Sequence, residues 1–240
     1  METIKLGNLD AVVLEPQSQA KQNIVLLHGF GAPGTDLVGL AEVLPRENQR
    51  YIFLQAPHVL DGMGGPMAGR AWWLIDMVAL QVARMTRQFD QLAAEVPDGL
   101  QEAQQGLIEA YRAIQERYTS ADEGIILGGF SQGAMLACQT ALTAELQLQG
   151  LVLLSGTVIC EKVWKAALAK PLSFPVFQSH SPQDEVLPYE LAERLCELFR
   201  AGGSNVDFVP FRGGHGIGPE VIQGLAAFLL QAADSSGTET

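Results

Sequence analysis

Short apolar runs alternate with helical segments along most of this chain, and this alternation restricts the fold more than any other feature. The runs include NIVLL at residues 23–27, YIFL at residues 51–54 and LVLL at residues 151–154. A continuous apolar run of this length indicates a strand that is buried on both faces of a parallel sheet. Strands that alternate with helices predict the α/β class, with one mostly parallel sheet and helices on both faces.

The predicted elements follow one another without an internal repeat or a clear linker. Two strands at residues 3–6 and 11–14 flank a turn that contains Gly7 and Asn8, and they predict a hairpin. Apolar residues recur at helical spacing over residues 100–118 and predict an amphipathic helix. Further strands are predicted at residues 23–27, 51–54, 124–127, 151–154, 176–178 and 206–210, and further helices at residues 37–44, 78–94, 132–146, 162–169, 189–201 and 219–231.

These elements predict a single domain over residues 1–233. An α/β domain often has this length, and 48% of the 240 residues are hydrophobic, which is enough for a large core. Residues 61–98 follow a looser pattern rich in Gly, Pro and Met, and we expect an insertion there that faces the substrate. The polar residues 234–240 are expected to form a disordered tail.

The charge balance argues against several classes of partner. The formal net charge is −12 and no basic stripe is present, so we do not expect binding to nucleic acid. No apolar run approaches the roughly 18 residues of a membrane span, so stable membrane insertion is not expected either. The N-terminus lacks the pattern of a signal peptide. Together with Cys138, Cys160 and Cys196, interpreted as reduced core thiols, this predicts a cytoplasmic protein.

The sequence GIILGGFSQGAMLACQTAL places Ser131 between a predicted strand and a predicted helix. Gly129 and Gly133 stand two residues before and two residues after it, where side chains would clash in a sharp strand-to-helix turn. Such a turn lifts the hydroxyl above the carboxyl edge of the sheet, where a substrate can reach it. A serine that only capped the helix would not need glycine on both sides. The motif therefore predicts a nucleophilic serine.

A nucleophilic serine needs a base, and the base needs a group that orients it. In this architecture the acid and the histidine follow the serine, in loops after later strands. His215 is predicted to be the base, because it is the only histidine after the acid and flanking glycines leave its loop free to reach Ser131. Asp184 is predicted to be the acid. Glu185 remains an alternative, and Asp207 is a poorer candidate because it lies within a predicted strand.

Two backbone N–H groups are expected to bind the oxyanion that forms on the substrate. One belongs to Gln132, at the start of the helix after the serine, where unpaired N–H groups and the helix dipole favour negative charge. The other belongs to Phe30, whose neighbours Gly29 and Gly31 let the backbone approach a substrate. The sequence has neither the spacing of a zinc site nor a glycine-rich nucleotide-binding motif, so no metal and no cofactor are expected.

Six segments are informative when they are taken together: LLHGFGAPGTDL, FLQAPH, AWWLID, GGFSQGAMLA, LVLLSG and GGHGI. They resemble the phospholipase/carboxylesterase family of α/β hydrolases, which includes bacterial carboxylesterases and acyl-protein thioesterases. The resemblance implies an α/β-hydrolase fold for nearly the whole chain. It also implies Ser131, Asp184 and His215 as the catalytic triad, and Phe30 and Gln132 as the oxyanion donors.

The chain departs from the family pattern near these residues. Ala32 stands where the thioesterases commonly have Asp, and Ser181 stands where a glycine is usual. The Gly- and Met-rich stretch before Trp72 and Trp73 is longer than usual. One of the two tryptophans, together with Met77, is expected to wall an apolar acyl pocket, and core packing is the alternative interpretation.

The predicted function is hydrolysis of small carboxylic esters by a serine nucleophile, through an acyl-enzyme intermediate. Hydrolysis of acyl thioesters or lysophospholipids is an alternative, because the same triad serves these substrates and only the pocket distinguishes them. A non-catalytic protein that binds a small ligand on the same fold is a further alternative. The sequence leaves the acyl-chain length open, and it leaves both a monomer and a homodimer open.

Overall fold

A computed structural model of the chain describes residues 2–60, 65, 68–120 and 123–235. Part of the predicted insertion, at residues 61–64 and 66–67, and the tail at residues 236–240 lie outside the described residues. The strands are β1 (Glu2–Leu6), β2 (Leu9–Leu14), β3 (Gln22–Leu27), β4 (Gln49–Leu54), β5 (His58–Val59), β6 (Arg70–Ala71), β7 (Gly124–Phe130), β8 (Gly150–Leu154), β9 (Val176–His180) and β10 (Val206–Pro210). The helices are α1 (Leu40–Val43), α2 (Met77–Met85), α3 (Phe89–Ala94), α4 (Leu100–Tyr118), α5 (Gln132–Thr143), α6 (Glu161–Ala167), α7 (Tyr189–Ala201) and α8 (Pro219–Ser235).

Within the described residues, eight strands form one sheet in the order β1-β2-β4-β3-β7-β8-β9-β10. The strands β4, β3, β7, β8, β9 and β10 run parallel to one another. The strands β1 and β2 extend the sheet at one edge as the predicted antiparallel hairpin, and β2 pairs with β4 in the antiparallel direction. The predicted mostly parallel α/β architecture is therefore confirmed.

The core lies on both faces of this sheet, because the central strands are apolar at successive positions. In β3, Val25 and Leu27 belong to a cluster that also contains residues of α4, α5, α6 and α7. Ile24 and Leu26 belong to a second cluster, which is completed by α1 and α8. Successive side chains of a strand point to opposite faces, so each apolar run supplies both clusters. In the part of the chain that the structure describes, no helix has both the length and the apolarity to cross a bilayer.

The segment between β6 and α4 departs from the sequence prediction. A single helix over residues 78–94 is wrong, because the segment forms α2 and α3 with a break between them. At the break Arg87 has a φ of 54°, which a helix cannot contain. The carboxylate of Asp76 caps α2 by accepting from the N–H groups of Val78 (3.0 Å) and Ala79 (2.9 Å). At the other end of the chain, α8 continues to Ser235, past its predicted end at residue 231 and into the predicted tail.

Candidate active site

Ser131 lies in the sharp turn between β7 and α5. Its φ of 53° and ψ of −116° lie in a region that residues with a side chain rarely adopt. The turn is fixed by two hydrogen bonds: the N–H of Ser131 donates to the carbonyl of Leu154 (2.8 Å), and the N–H of Met135 donates to the carbonyl of Ser131 (3.1 Å). Backbone strain of this kind, held by the surrounding structure, is typical of functional turns.

Gly129 and Gly133 make this turn sterically feasible. A Cβ on Gly129 would lie within 3.0 Å of the backbone of Gly133, so the crowding predicted from the sequence is present. A Cβ on Gly133 would also lie within 3.0 Å of the carbonyl oxygens of Leu27 and His28. The second contact, with the end of β3, has no signal in the motif itself.

The side chains of Ser131, His215 and Asp184 form a continuous chain of hydrogen bonds. Nε2 of His215 lies 2.8 Å from Oγ of Ser131, and Nδ1 of His215 lies 2.7 Å from Oδ2 of Asp184. The three residues follow β7, β10 and β9, so the carboxyl ends of three parallel strands bring together residues that are far apart in the sequence. A neutral His215 with its proton on Nδ1 donates to Asp184 and accepts from the serine hydroxyl, which is the arrangement that a general base requires.

The carboxylate of Asp184 is buried and has hydrogen-bond donors at both oxygens. Oδ1 accepts from the N–H groups of Val186 and Leu187, each at 2.8 Å. Oδ2 faces Nδ1 of His215 and, at 3.3 Å, Nε2 of His180. Burial acts to raise the pKa of Asp184, but the hydrogen bond and charge of His215 and the two backbone N–H groups outweigh it and lower the pKa. Asp184 is therefore ionised at neutral pH and holds a proton on the facing nitrogen of His215.

The other carboxylates considered in the sequence do not take this position. Glu185 and Asp207 are both exposed, and among the described residues neither forms a hydrogen bond or an ion pair with His215. Within the same described residues, no group of three or more His, Cys, Asp and Glu side chains could hold a metal ion.

His180 is a second histidine beside the carboxylate of Asp184, and its position four residues earlier in the chain predicts that it shapes this loop. It is completely buried, and burial lowers the pKa of its ring despite the nearby charge of Asp184. Its Nε2 lies 3.1 Å from the carbonyl of Leu187, so the neutral ring carries its proton there and donates. The weaker contact of the same nitrogen with Asp184 helps to fix the carboxylate. The spacing of four residues between the two was the available signal.

Two serine hydroxyls hold the loop on either side of His215. Oγ of Ser155 donates to the carbonyl of Gly216 at 2.8 Å, and Oγ of Ser181 donates to the carbonyl of Gly213. A Cβ on Gly216 would meet nothing within 4 Å, so the side-chain position of this residue faces open space. Ser181 thus adds a hydrogen bond between the loop of Asp184 and the loop of His215.

The two predicted oxyanion donors lie close to Ser131. Gln132 is the first residue of α5 and directly follows the serine. A Cβ on Gly29 would lie 3.0 Å from the ring of Phe130 and 3.3 Å from Cβ of Ser131, so the loop that carries Phe30 passes beside the serine. Among the described residues, neither the N–H of Phe30 nor that of Gln132 donates to another backbone group.

His28 fixes the loop that contains Phe30. Its Nε2 accepts from the N–H of Ala56 (3.1 Å), so its proton is on Nδ1, which donates to the carbonyl of Gly29 (2.8 Å). Burial lowers the pKa of His28 to about 4, which keeps the ring neutral. The small strand β6 supports the other side of the loop, because the N–H of Gly31 donates to the carbonyl of Arg70 at 2.8 Å. The loop is therefore held on both sides of Phe30.

The side-chain amide of Gln132 connects the serine turn to the segment after β6. Oε1 accepts from the N–H of Trp72 (3.0 Å), and Nε2 donates to the carbonyl of Trp73 (2.8 Å). The indole N–H of Trp72 donates to the carbonyl of His28 at 2.9 Å, and the ring is buried in the core. Trp72 is thus an anchor between this segment and the loop after β3.

An apolar cavity of about 770 Å³ lies next to the serine turn and the loop of Asp184, and none of Ser131, Asp184 and His215 lines it. Its inner wall includes Met135 and Leu187, whose N–H groups donate to Ser131 and Asp184 respectively. Its outer wall is formed mainly by α2 and α3, and the wall residues there include Ile75, Leu80, Val82, Ala83 and Leu92.

The structure separates the three residues that the sequence suggested for the pocket. Trp73 lines the cavity, as expected for one of the two tryptophans. Trp72 packs in the core instead, and the side chain of Met77 is 47% exposed and lies outside the cavity wall. Met77 is the first residue of α2. The sequence predicts one continuous helix over residues 78–94, and this prediction does not give the orientation of the shorter helix α2.

A model of the family described as phospholipase/carboxylesterase matches residues 8–232 of the chain. Acyl-protein thioesterase 1 of Kluyveromyces lactis is 31% identical over 236 residues, which cover 93% of this chain and 98% of that protein. Acyl-protein thioesterase 1 of Mycosarcoma maydis is 30% identical over an alignment of 244 positions, which covers 92% of this chain and 96% of that protein.

Two solved structures extend the similarity to the fold. Esterase PE8 superimposes with a TM-score of 0.74 and 26% identity, and the match covers 93% of this chain and 99% of that one. The Bacillus cereus carboxylesterase superimposes with a TM-score of 0.70 at 19% identity, over 93% of this chain and 94% of that one.

Proposed function

Because the chain belongs to the phospholipase/carboxylesterase family of α/β hydrolases, we propose that Ser131, His215 and Asp184 are its catalytic triad. The enzyme is a serine hydrolase of the carboxylesterase type. The proposal for its site depends on one observation, the two hydrogen bonds of His215, which measure 2.8 Å to Oγ of Ser131 and 2.7 Å to Oδ2 of Asp184. This geometry supports a serine that is poised to lose its proton to the imidazole.

The reaction proceeds in two halves. Oγ of Ser131 attacks the carbonyl carbon of the ester while Nε2 of His215 takes the hydroxyl proton, and the carboxylate of Asp184 stabilises the imidazolium. The bond between the carbonyl carbon and the leaving oxygen then breaks, and the proton passes from Nε2 to the leaving alcohol. Water attacks the acyl-enzyme in the second half, again giving a proton to Nε2, and the release of the acid restores the serine hydroxyl.

The backbone N–H groups of Phe30 and Gln132 are the proposed donors to the oxyanion. The loop that carries Phe30 is held by the hydrogen bonds of His28 with Gly29 and of Gly31 with Arg70. Gln132 is held as the first residue of α5. Donors that are fixed before the reaction stabilise the developing charge without reorganisation, and one such donor contributes about 3 kcal/mol in another serine hydrolase.

The cavity beside the triad is the proposed acyl site. Its apolar wall and its volume of about 770 Å³ suit an extended alkyl chain rather than a charged or sugar-like group. The relatives named acyl-protein thioesterases favour a second candidate reaction, the hydrolysis of acyl thioesters. Both reactions use the same triad and the same acyl pocket, so they differ only in the leaving group.

We also propose that the enzyme works in the cytoplasm. The three cysteines, Cys138, Cys160 and Cys196, are buried and unpaired, which suits a reducing compartment. Burial raises the pKa of Cys160 to about 11 and that of Cys138 well above its ordinary value, so these thiols remain protonated and unreactive.

Replacing Ser131 with alanine tests the proposed function. Hydrolysis of a short p-nitrophenyl ester is expected to fall by several orders of magnitude, as in other triads. A fluorophosphonate probe is expected to label the parent and the control variant Ser204→Ala, but not Ser131→Ala. Labelling of Ser131→Ala at another serine contradicts the assignment. Rates on a series of acyl chains, supplied as matched oxygen esters and thioesters, then decide between the two leaving groups.

A further inference from the structure

One buried hydroxyl lies in the wall of the otherwise apolar inner part of the cavity. Thr157 follows the end of β8 by three residues, is 2% exposed and lines the cavity. The inner wall around it includes the apolar residues Met135, Val158 and Leu187. The other hydroxyl, amide and carboxylate side chains of the described cavity wall are exposed, and they belong to Asp76, Gln88, Gln91, Glu95 and Asp98. Thr157 therefore offers the cavity a polar group that is shielded from solvent.

The hydroxyl of Thr157 has only a weak hydrogen-bond partner. It donates to Sδ of Met135 at 4.0 Å, and within the described part of the chain this is its only hydrogen bond. A thioether sulfur is a weak acceptor, and the hydroxyl oxygen has lone pairs that can accept in turn. Buried polar groups normally have an oxygen or nitrogen partner. An incompletely paired hydroxyl in the wall of a cavity therefore marks a position where an atom of the ligand completes the bonding.

Thr157 lies at the end of the cavity that is nearest to the serine turn. Its partner Met135 lies one turn of α5 after Ser131 and donates its N–H to the carbonyl of that residue at 3.1 Å. One helical turn advances by about 5.4 Å, which is the length of a few carbon–carbon bonds. The residue before Thr157 also borders the serine turn, because a Cβ on Gly156 would lie 3.6 Å from the carbonyl oxygen of Ser131.

We propose that Thr157 selects esters whose acyl group carries a hydroxyl within the first few carbons after the carbonyl. Such a hydroxyl accepts from Thr157 or donates to it, whereas a plain alkyl chain leaves Thr157 with the sulfur of Met135 alone. A site that contains a buried hydrogen-bonding group discriminates against a substrate that lacks the matching group. The inference rests on the proposed function, because the cavity is the acyl site only if Ser131 is the nucleophile. It adds the chemical class of the acyl group.

Hydrolysis of ethyl hexanoate and of the two enantiomers of ethyl 3-hydroxyhexanoate, followed by acid release in a pH-stat, tests this selection. The hydroxyl preference is kcat/KM for the better enantiomer divided by kcat/KM for ethyl hexanoate. Thr157→Val removes the hydroxyl and keeps nearly the same shape, and we expect the preference to fall about fivefold, the effect of one neutral hydrogen bond. Because every variant receives the same esters, their intrinsic reactivities cancel when the preferences of two variants are compared.

The control variants separate the hydroxyl of Thr157 from the removal of any buried hydroxyl. Thr140 is completely buried in α5, its hydroxyl donates to the carbonyl of Leu136 at 2.8 Å, and it is not among the described residues that line the cavity. Thr140→Val is therefore expected to keep the wild-type preference. Thr157→Ser retains a hydroxyl at the same position and is also expected to keep it, whereas Thr157→Ala, with a smaller side chain, should lose it as Thr157→Val does.

Several outcomes overturn the inference. They are an unchanged preference in both Thr157→Val and Thr157→Ala, an equal fall in Thr140→Val, and loss of the preference in Thr157→Ser. Hydrolysis of all three esters with one preference in every variant overturns the selection by Thr157 and leaves the proposed triad intact. A wild type that hydrolyses none of the three esters refutes the proposed function together with this inference.

Discussion

Replacing Ser181 with alanine tests how the loop that carries His215 is held in place. The hydroxyl of Ser181 donates to the carbonyl of Gly213 and accepts from the N–H of Gln183 at 3.0 Å. The variant removes the side-chain hydrogen bond between the loop of the acid and the loop of the base, and it introduces no bulk. On the other side of His215, the hydrogen bond from Ser155 to Gly216 remains.

The expected loss follows from the energy of one hydrogen bond. A neutral hydrogen bond contributes about 1 kcal/mol net, and about 1.4 kcal/mol corresponds to a factor of ten in rate. If this energy holds the loop in the conformation in which Nε2 faces Ser131, kcat falls about fivefold in Ser181→Ala. Ser155→Ala acts on the same loop; if the two hydroxyls act independently, the double variant loses on the order of 25-fold, and a different loss measures their coupling through the loop. KM changes little, because neither hydroxyl lines the cavity.

Steady-state kinetics on a short p-nitrophenyl ester measure both constants. The matched control is Ser204→Ala, which removes another buried serine hydroxyl; this hydroxyl accepts from the N–H of Leu172 (3.1 Å) in the turn before β10, away from the carboxyl ends of the strands. Wild-type kcat is expected in the control. An unchanged kcat in Ser181→Ala, or an equal loss in Ser204→Ala, would refute the idea that this hydroxyl positions the base.

Three further predictions concern the acid, the serine turn and the pH dependence of stability. Asp184→Asn should lower kcat by on the order of 10⁴-fold, because an amide cannot stabilise the imidazolium. A small loss in this variant, together with a large loss in Glu185→Gln, would show that Glu185 is the acid instead. Gly133→Ala should lower the free energy of unfolding by about 1–3 kcal/mol in urea denaturation, because the new Cβ meets the backbone at the end of β3 within 3.0 Å, whereas a Cβ on Gly39 meets nothing within 4 Å and Gly39→Ala should change it far less. Burial lowers the pKa of His28 from 6.5 to about 4. Between these pH values the imidazole is protonated in the unfolded chain but not in the folded chain, so stability that is complete above pH 6.5 is lost as the pH falls towards 4. At pH 5 this effect lowers the free energy of unfolding by about 2 kcal/mol relative to its value well above pH 6.5. In His28→Gln the free energy of unfolding should therefore decline less steeply with falling pH, and an equally steep decline would contradict the explanation.

The sequence predicted those features that depend on local patterns. Buried strands show up as short apolar runs, and α4, α7 and β10 begin and end where the pattern indicates. The serine turn is also local, because a strand, a helix start and two glycines at fixed spacing are contiguous in the chain. The order of Ser131, Asp184 and His215 then restricts which strand ends meet, since parallel strands present their carboxyl ends at one edge.

Features that depend on tertiary contacts could not be predicted from the sequence. The break between α2 and α3 rests on a positive φ at Arg87, which a residue with a side chain adopts only because surrounding contacts hold it. The strands β5 and β6 have two residues each, too few for an alternating pattern to show. The contacts of Ser155 and Ser181 with the loop of His215 join segments that are distant in sequence, and a lone serine gives no sign of its acceptor.

The strand order also determines when this enzyme becomes active during its synthesis. The serine turn follows β7, near the middle of the chain, and the base follows β10, which adds to the sheet alongside β9. Parallel pairing between distant segments forms slowly, because the intervening chain must first be closed into a loop. A nascent chain that still lacks β10 therefore displays its serine without an imidazole beside it. If Ser131 and His215 act as proposed, ester cleavage begins only after translation has passed residue 215 and β10 has docked, so the onset of activity reports the completion of folding.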